Sequence, residues 1–301
     1  MSALSGKFEQ LCTLSISGIS VKFQLTQLKG DLMKARILFI TFITMLVMAG
    51  CAKKGPSPNL CPTVCDGLVA YYPFYGDATD KSGNGIDGKV IGGTLTKDRN
   101  GYQNHAYRLG KTSSMIDITS SNISGFELES KSFTVSVIVK VEKINQKWIT
   151  YSGGQFSKGA LLNGTAGGKK PSSFKLMYHF YPNGKNNLWF NTPNHSGKTT
   201  DAHSGRTNPL EYNHIVGVAN HVEGSITLFV NGEMLDEKPW NGSPKNSSRW
   251  SIGMMGNPTW KAKHRGNLIG VVDEVRLYNR ALSADEVKEL YLFTSAFPPA
   301  E

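Results

Sequence analysis

The sequence lacks the short motifs that mark several common classes of hydrolase. It contains no Gly-X-Ser-X-Gly turn, no His-Glu-X-X-His pair and no Glu-X-Asp-X-X-Glu run, and its 7 histidines, among them His214, are dispersed. Each of these motifs holds a nucleophile, a metal-bound water or a pair of acids within one local segment. Reactions of those types are therefore not indicated. A polysaccharide hydrolase or lyase whose acid and base come from separate strands would leave no such motif, and this alternative stays open.

Cysteine and long apolar runs are also scarce. The chain has 4 cysteines among 301 residues. Its main apolar stretch, residues 37–49, is shorter than the roughly 18 residues that a membrane-spanning helix needs. The net charge is +10, and the basic side chains are mostly scattered, with clusters at Lys169-Lys170 and over residues 261–265. With no nucleic-acid-binding motif, this charge indicates either a solvated surface or an acidic partner such as an anionic polysaccharide.

The apolar stretch has the flanking residues of an export signal. Met33-Lys-Ala-Arg36 precedes it and Gly50-Cys51 follows it, an order that is typical of a signal peptide. The segment Met48-Ala-Gly-Cys51 resembles the bacterial lipobox, which implies that the Cys51 thiol is acylated. The sequence therefore predicts a lipoprotein signal peptide over residues 33–50. An ordinary secretory signal that is cut near Cys51 is the alternative.

The position of this signal predicts how the rest of the chain is organised. Because a signal peptide begins a protein, we expect residues 1–32 to be a mis-called upstream extension. Residues 51–65 are predicted to be the lipidated cysteine and a polar tether rich in Pro and Gly. Ala52 resembles the residue that follows the cysteine in lipoproteins of the Gram-negative outer membrane. The expected location is therefore the bacterial cell envelope, at the outer membrane.

Two more cysteines, Cys61 and Cys65, lie at the end of the tether. In the oxidising compartment that export implies, these two residues can form a local disulfide, and a free pair of thiols is the alternative. Metal binding is disfavoured, because two thiols without further Cys or His nearby make at most half of a zinc site.

Two pairs of segments from opposite ends of the remaining chain carry a family resemblance. Gly67–Phe74 with Phe74–Gly88, and Gly270–Leu282 with Ser283–Tyr291, are together similar to laminin-G-like, concanavalin A-type jelly-roll domains of bacterial surface proteins. The resemblance covers residues 66–297 and leaves 298–301 as a tail. It implies a two-sheet antiparallel jelly-roll sandwich, in a family whose members mostly bind glycans or other surfaces.

The residue pattern agrees with an all-β fold that has one short C-terminal helix. Alternate residues of Phe133–Val141 are apolar, which predicts a core strand. Asn231-Gly232 between two apolar runs predicts a type I′ hairpin. Ser283 and Glu286 form a capping box that predicts a helix start. We expect this helix to cover an edge or to close one end of the sandwich.

The resemblance also implies a structural calcium ion that joins the first and last strands. Calcium prefers six to eight oxygen ligands, and a Gly-rich loop can turn its carbonyls inward. The implied ligands are Asp80 and Asp273, then the carbonyls of Asn84 or Gly85, with Asp77 and Asp87 less directly. The alternative is that Asp80 caps an Asx-turn and Asp273 accepts hydrogen bonds from loop amides, with no ion.

A second candidate site is an aromatic shelf on the outward face of two strands. If residues 183–187 form the connecting loop, Tyr181 lies opposite Trp189 and His179 lies opposite Asn191. Such a shelf can stack a sugar ring and bond its hydroxyls, unless a loop covers it. Trp240 and Trp260, together with Trp250, indicate either a binding rim or packing anchors.

One pair of acids is excluded as a catalytic pair on simple geometry. Asp273 and Glu274 are adjacent, and neighbouring residues of a strand point to opposite faces. The favoured function is therefore a lipid-anchored, non-catalytic domain that binds carbohydrate or another surface ligand. A polysaccharide-degrading enzyme and an adhesive, protein-binding module are the alternatives.

Overall fold

The structure is a computed structural model that describes residues 61–110, 114–118, 131–144, 149–151, 154–165, 173–242, 249–255 and 266–295, with two strands before them. The chain divides into two compact units, residues 1–55 and 56–301. In the first unit, strands β1 (Gln10–Ile16) and β2 (Ile19–Leu25) form an antiparallel hairpin. Within the described residues, no helix combines the length and the apolar character needed to cross a membrane.

The alternating segments of the second unit form two antiparallel sheets. The first sheet contains β4 (Lys89–Ile91), β7 (Met115–Ile118), β9 (Ile149–Tyr151), β10 (Gly154–Thr165), β11 (Phe174–Phe180), β12 (Asn186–Pro193), β13 (Thr199–Ser204) and β17 (Arg249–Ile252). Its spatial order is β13-β12-β11-β10-β17-β7-β4, and β9 lies beside β10.

The second sheet has the same number of strands. It contains β3 (Leu68–Tyr72), β5 (Gly93–Thr96), β6 (Ala106–Leu109), β8 (Phe133–Val141), β14 (Asn213–Asn220), β15 (Ser225–Val230), β16 (Glu233–Pro239) and β20 (Gly270–Tyr278). Its order is β16-β15-β14-β8-β20-β6-β5, and β3 lies beside β20. Strands β18 (Met254–Met255) and β19 (Gly266–Asn267) form a small separate pair.

The inward faces of the two sheets share one hydrophobic core. Phe133 of β8 contacts two rings of the first sheet, Phe174 at 5.6 Å and Phe190 at 6.2 Å between centroids. Gly217 of β14 lies so close to Phe190 that an added Cβ would come within 2.5 Å of the ring. Glycine is therefore required at this position. Each fully buried Phe stabilises the fold by roughly 1.5–3 kcal/mol through the area that it removes from water.

Strand β8 confirms the predicted core face and also differs from the prediction. The apolar residues of that face are all buried: Phe133, Val135, Val137, Val139 and Val141. Thr134 on the opposite face is buried as well, and its hydroxyl donates to the Arg280 carbonyl at 2.9 Å and accepts from Leu282 N at 3.0 Å. This part of the second sheet is therefore covered on both faces.

The cover is helix α1 (Ala284–Ser295) and the turn before it. The predicted capping box is confirmed, since Ser283 N donates to the Glu286 carboxylate at 2.9 Å and Glu286 N donates to Ser283 Oγ at 3.3 Å. The helix packs on the face of the second sheet, not on an edge or an end, because its apolar residues meet outward-facing residues of inner strands. The shared cluster contains Val216, Val218, Phe229, Tyr278, Leu282, Val287 and Leu290.

The hairpin between β15 and β16 is also confirmed. Asn231 and Gly232 have φ angles of 53° and 80°, and Val230 pairs with Glu233 directly beside them. Two consecutive positive φ angles define the type I′ turn that the Asn-Gly pair predicts. The described residues thus form an all-β, two-sheet sandwich with a short C-terminal helix, as the sequence analysis expected.

Candidate ligand-binding site

Strand β20 changes its pairing partner halfway along its length. Residues 270–272 pair with β6, and residues 275–278 pair with β3. Asp273 and Glu274 lie at the gap between the two partners. On the other side, the register with β8 shifts between Asp273 and Arg276, which is the sign of a bulge. The sheet is therefore split at these two acidic residues.

The bulge alters the expectation that Asp273 and Glu274 face opposite sides, because both residues line one cavity. Glu274 has a φ of 50°, in the left-handed region that few residues other than glycine adopt. This conformation breaks the simple alternation of a strand, and Asp273 and Glu274 line the same cavity. The acid pair that the sequence analysis excluded is thus present in the folded chain.

The cavity has a volume of about 300 Å³. Its walls come from three parts of the chain: the loop after β3, the loop between β5 and β6, and the bulge of β20, with one residue from α1. The lining residues are Tyr75, Asp98, Arg99, Asn100, Tyr102, His105, Asp273, Glu274 and Thr294.

Two loops are tied together at the mouth of the cavity. The Gly76 N–H donates to the carbonyls of both Phe74 and Asn104, each at 2.8 Å. Phe74 and Asn104 have positive φ angles of 58° and 61°. With Glu274, three non-glycine residues in this strained region of backbone space lie in or next to the cavity wall. Strain of this kind accumulates where function requires a particular geometry.

The loop between β5 and β6 is fixed by Asp98. Its Oδ1 accepts hydrogen bonds from Asn100 N at 2.9 Å and Tyr102 N at 2.8 Å, and Asp98 N donates to the Tyr102 carbonyl at 3.1 Å. These bonds form an Asx-turn that presents Arg99 and Tyr102 to the cavity.

One side of the cavity is an aromatic wall made of Tyr75, His105 and Tyr102. The His105 ring lies 4.7 Å from Tyr75 and 5.6 Å from Tyr102, with interplanar angles of 41° and 25°. Tyr75 is 45 % exposed, so part of its ring faces solvent. The wall offers an apolar surface beside polar groups.

Asp273 lies in an environment that opposes its charge. The residue is 4 % exposed. Burial raises the pKa of its carboxyl well above the ordinary value, and the charges of Glu274 and Asp98 raise it further, while Arg99 acts in the opposite direction. The pKa of Tyr75 is raised to about 12, first by burial and then by the charges of Glu274 and Asp273.

Glu274, in contrast, has charged and polar partners. Arg276 Nη2 donates to its carboxylate at 2.9 Å, and the Tyr71 hydroxyl donates to the other oxygen at 3.2 Å. The Arg276 guanidinium also lies 4.5 Å from the centre of the Tyr71 ring. Because Arg276 is buried and paired with Glu274, its positive charge is neutralised within the wall.

Arg99 is the cation that remains on the cavity side. Burial lowers the pKa of its guanidinium, against the attraction of Asp273, Glu274 and Asp98. Its Nη2 is buried and has no hydrogen-bond partner within the described part of the chain. A buried donor without a partner costs roughly 1–3 kcal/mol, so an acceptor supplied by a ligand would be favourable.

The residues expected to bind calcium are placed differently. Asp80 is fully buried, and its carboxylate accepts four hydrogen bonds, from Tyr71 N, Ser82 N, Ser82 Oγ and Ile86 N, at 2.8–3.0 Å. This is the Asx-turn alternative, with the loop fastened to β3. Asn84 Nδ2 donates to the Val69 carbonyl at 2.9 Å, in the same fastening.

Asp273 lines the cavity described above, and Asp80 is not among the residues that line it. Asp77 accepts from Thr79 N at 2.8 Å on the exposed side of the loop, and Gly85 has a φ of 71°. Among the residues that the structure describes, no three His, Cys, Asp or Glu side chains form a group suited to a metal ion. The calcium ion stays a prediction.

The predicted aromatic shelf has a different register from the one expected. Trp189 pairs with Met177 and Asn191 pairs with Lys175. The prediction that Tyr181 lies opposite Trp189 and that His179 lies opposite Asn191 is wrong. The connecting turn is tighter than expected, because Tyr181 N donates to the Lys185 carbonyl at 2.9 Å and Asn186 already pairs with Phe180.

Trp189 belongs instead to an outer row of three stacked rings. His179 and His203 lie 4.9 Å and 4.8 Å from the indole, at interplanar angles of 28° and 25°. Because each neighbouring strand places a ring against Trp189, both faces of the indole are occupied. Within the outer row, His179, Trp189 and His203, the stacking leaves the indole no open face on which a sugar ring could pack.

The other predicted residues have simpler outcomes. Trp240 is 3 % exposed and donates its indole N–H to the Pro193 carbonyl at 3.0 Å, so it is a packing anchor and not part of a binding rim. Cys61 and Cys65 form a disulfide, with Cα atoms 5.7 Å apart. Trp260 and Cys51 lie outside the described residues.

The cavity has almost no signature in the sequence. Asp98-Arg-Asn-Gly101 has the composition of a turn, which is the only local signal for the loop between β5 and β6. Nothing in the sequence relates this loop to Tyr75 or to Asp273. Their meeting depends on the split of the second sheet.

A family model matches residues 111–288, and the chain belongs to the concanavalin A-like lectin/glucanases superfamily. Comparison with curated proteins gives no match.

Solved structures share the fold of this chain. The binding domain of Paraclostridial Mosquitocidal Protein 1 has a TM-score of 0.57 and 20 % identity, over 77 % of this chain and 53 % of that one. The Botulinum neurotoxin serotype D binding domain has a TM-score of 0.55 and 14 % identity, over 77 % and 52 %. The binding domain of Botulinum neurotoxin DC, solved in complex with rat synaptotagmin II, has a TM-score of 0.54 and 13 % identity, over 76 % and 52 %. The present chain spans about half the length of these structures. At these identities the similarity concerns the fold alone.

Proposed function

We propose that this protein is a lipid-anchored protein of a bacterial envelope whose jelly-roll domain binds a glycan in the cavity at the split of β20. The observation that carries this proposal is the composition of the cavity. An aromatic wall lies beside a cationic donor, Arg99, and beside the carboxylates of Asp98 and Asp273. The three solved structures named above are binding domains of other proteins, which supports a binding role for the same fold.

The size and chemistry of the cavity suit part of a sugar chain. A volume of about 300 Å³ is at the lower end of the range for small-molecule sites, roughly 300–1,000 Å³. One sugar ring is the natural occupant of such a space. Its apolar face can pack on the aromatic wall, while its hydroxyls accept from Arg99 and donate to the carboxylates.

The proposed lipid anchor rests on a separate feature, the export and lipidation signals in the sequence that end at Cys51. Mass spectrometry of the native N-terminus tests this part of the proposal. We expect an acylated Cys51 as the first residue. An unmodified Cys51, or a peptide from residues 1–32, would contradict it.

A glycan array with the purified protein, run with and without calcium, tests the binding role. For a glycan that binds, Tyr75→Ala should lower the affinity by several-fold, about 1 kcal/mol or more, because a sugar-stacking ring is lost. The melting temperature should change little, since Tyr75 is 45 % exposed.

Trp189→Ala is the matched control, because it also removes one aromatic ring but from the outer row. We expect unchanged affinity and a loss of stability of about 1–2 kcal/mol, since Trp189 packs between two rings and against buried Met177. If Trp189→Ala weakens binding and Tyr75→Ala does not, the outer row is the binding surface.

One observation favours a second candidate, a polysaccharide-degrading enzyme. Asp98, Asp273 and Glu274 line one cavity, and glycoside hydrolysis needs an acid and a base or nucleophile that flank one bond. Release of reducing ends from polysaccharides would show this activity, and it should disappear in Asp273→Asn and Glu274→Gln. Binding without any turnover supports the first proposal.

A further inference from the structure

The charge of the cavity differs in sign from the charge of the whole chain. The chain is basic, with a net charge of +10, which favours acidic partners. The cavity, however, is lined by Asp98 and Asp273, by Glu274, whose charge is paired with that of Arg276, and by one arginine, Arg99. Arg276 adds no attraction for a ligand, because it is buried in the pair with Glu274.

We propose that the cavity selects an uncharged sugar end group and discriminates against acidic sugars. This inference rests on the proposed glycan-binding function and specifies its ligand class. The net charge of the chain favours an anionic polysaccharide as partner. Under this proposal, such a partner would contact the outer surface and not the binding site.

The argument against an acidic ligand is electrostatic. A ligand carboxylate could accept from Arg99, but it would add a third negative group beside Asp98 and Asp273, while Glu274 is already paired with Arg276. The displaced pKa of Asp273 shows that negative charge is already unfavourable there, with burial as the first cause and the charges of Glu274 and Asp98 as the next. The protein wall screens charges less than water does. One added negative charge should therefore weaken binding roughly tenfold or more.

The argument against a cationic ligand is the presence of Arg99. Its buried Nη2, without a partner among the described residues, requires an acceptor, and an ammonium group has none. A hydroxyl can accept from Arg99 and donate to a carboxylate at the same time. Hydroxyl groups therefore meet the requirements of both kinds of side chain in the wall.

Calorimetric titration with matched sugars tests this inference. The full chain is titrated with methyl glycosides of galactose, galacturonic acid and galactosamine, and with the same series based on glucose. We expect the uncharged member of one series to bind, its acid to bind at least about tenfold more weakly, and Arg99→Met to abolish binding of the uncharged sugar.

Asp98→Asn tests whether the charge of the cavity sets the preference for an uncharged sugar over its acid. The amide oxygen of asparagine can still accept from Asn100 and Tyr102, so the turn is kept while one negative charge is removed. The preference for the uncharged sugar over its acid should therefore become smaller. Glu223→Gln, which removes a charge from an exposed turn outside the cavity lining, is the control and should leave the preference unchanged.

The outcomes separate this inference from the proposed function. Tighter binding of the acid or of the amino sugar would overturn the inference and leave glycan binding intact. If Asp98→Asn and the wild type show the same preference for the uncharged sugar over its acid, the charge of the cavity does not set that preference and the inference is wrong. If no sugar in these series and no glycan on the array binds, the proposed function itself fails.

Discussion

Asp80 and Asp273 are two buried aspartates from the two ends of the domain, and the structure gives them opposite environments. The carboxylate of Asp80 accepts four hydrogen bonds from its own loop and from β3. Asp273 lines a cavity beside two other acids, and burial raises the pKa of its carboxyl. Burial is therefore the same in the two cases, while the number of donors directed at the carboxylate differs.

This difference shows how structural acids and functional acids can be distinguished. A carboxylate that is saturated with donors holds the chain together and has no capacity for a ligand. A carboxylate whose charge is opposed by its surroundings is costly to the fold, and such groups accumulate at functional sites. Asp80 is of the first kind. Asp273 has the features of the second.

The largest expected effect is that of Asp80→Ala. The substitution leaves several buried donors without an acceptor, at about 1–3 kcal/mol for each, so we expect a loss of about 3 kcal/mol or more in the free energy of unfolding. Chemical denaturation measures it. Asp77→Ala in the same loop is the control and should cost under about 1 kcal/mol, because Asp77 is exposed. Similar costs for the two variants would contradict the structural role of Asp80.

Asp273→Asn should stabilise the protein at neutral pH. Since the folded-state pKa of Asp273 is raised, its contribution to stability is fully present below the unfolded pKa of about 3.9 and is lost as the pH rises through the folded pKa. Asparagine cannot ionise and avoids this loss. The melting temperature of the variant should exceed that of the wild type at pH 7, and the difference should shrink towards pH 4.

The same substitution at the other aspartate sharpens this test. Asp80→Asn replaces an acceptor oxygen by an N–H₂ group that faces donors, so it should destabilise at pH 7. Opposite signs for the two Asp→Asn variants are expected from their environments. A destabilising effect of Asp273→Asn at every pH would show that the carboxylate is needed by the fold.

Calcium provides the next comparison. The family resemblance predicts an ion held by both aspartates, and an ion that binds only the native state stabilises by about 2.7 kcal/mol at 100 times its Kd. If such an ion binds, calcium raises the melting temperature over that in chelator, and both Asp80→Ala and Asp273→Ala remove the increase. If Asp80 only fastens its loop, as its four hydrogen bonds indicate, Asp80→Ala leaves the increase unchanged. Loss of the increase in Asp273→Ala alone would locate the ion in the cavity. Identical wild-type curves in calcium and in chelator would end this interpretation.

The smallest expected effect comes from Glu286, a partly exposed acid at the start of α1. The hydrogen bond with Arg280 lowers the pKa of Glu286 to about 2, and the capping-box bond from Ser283 also lowers it. Its contribution is present above the unfolded pKa of about 4.3 and is lost as the pH falls towards the folded value. Glu286→Gln should cost about 0.5–1 kcal/mol at pH 7, because solvent screens the pair. A pH-independent cost would contradict the ion pair.

Much of the fold could be predicted because it depends on local rules. The alternation in Phe133–Val141, the turn at Asn231-Gly232 and the capping box at Ser283 each act over a few residues. The register of β11 and β12 could not be predicted, because it depends on a turn whose length the sequence does not state. A shift of four residues kept the inward face correct and changed every cross-strand partner.

The candidate site, in contrast, could not be predicted from local rules. Sequence alone determined that Asp273, Glu274 and Arg99 exist, that the chain alternates as strands do and that its ends resemble a jelly roll. Only the tertiary structure decided that these three residues meet. A bulge with a positive φ at Glu274 interrupts the strand, and β20 changes its partner from β6 to β3 beside it, where both acids line one cavity with Arg99 of a distant loop. Such a meeting depends on contacts between residues far apart in the chain, and local pattern carries no information about them.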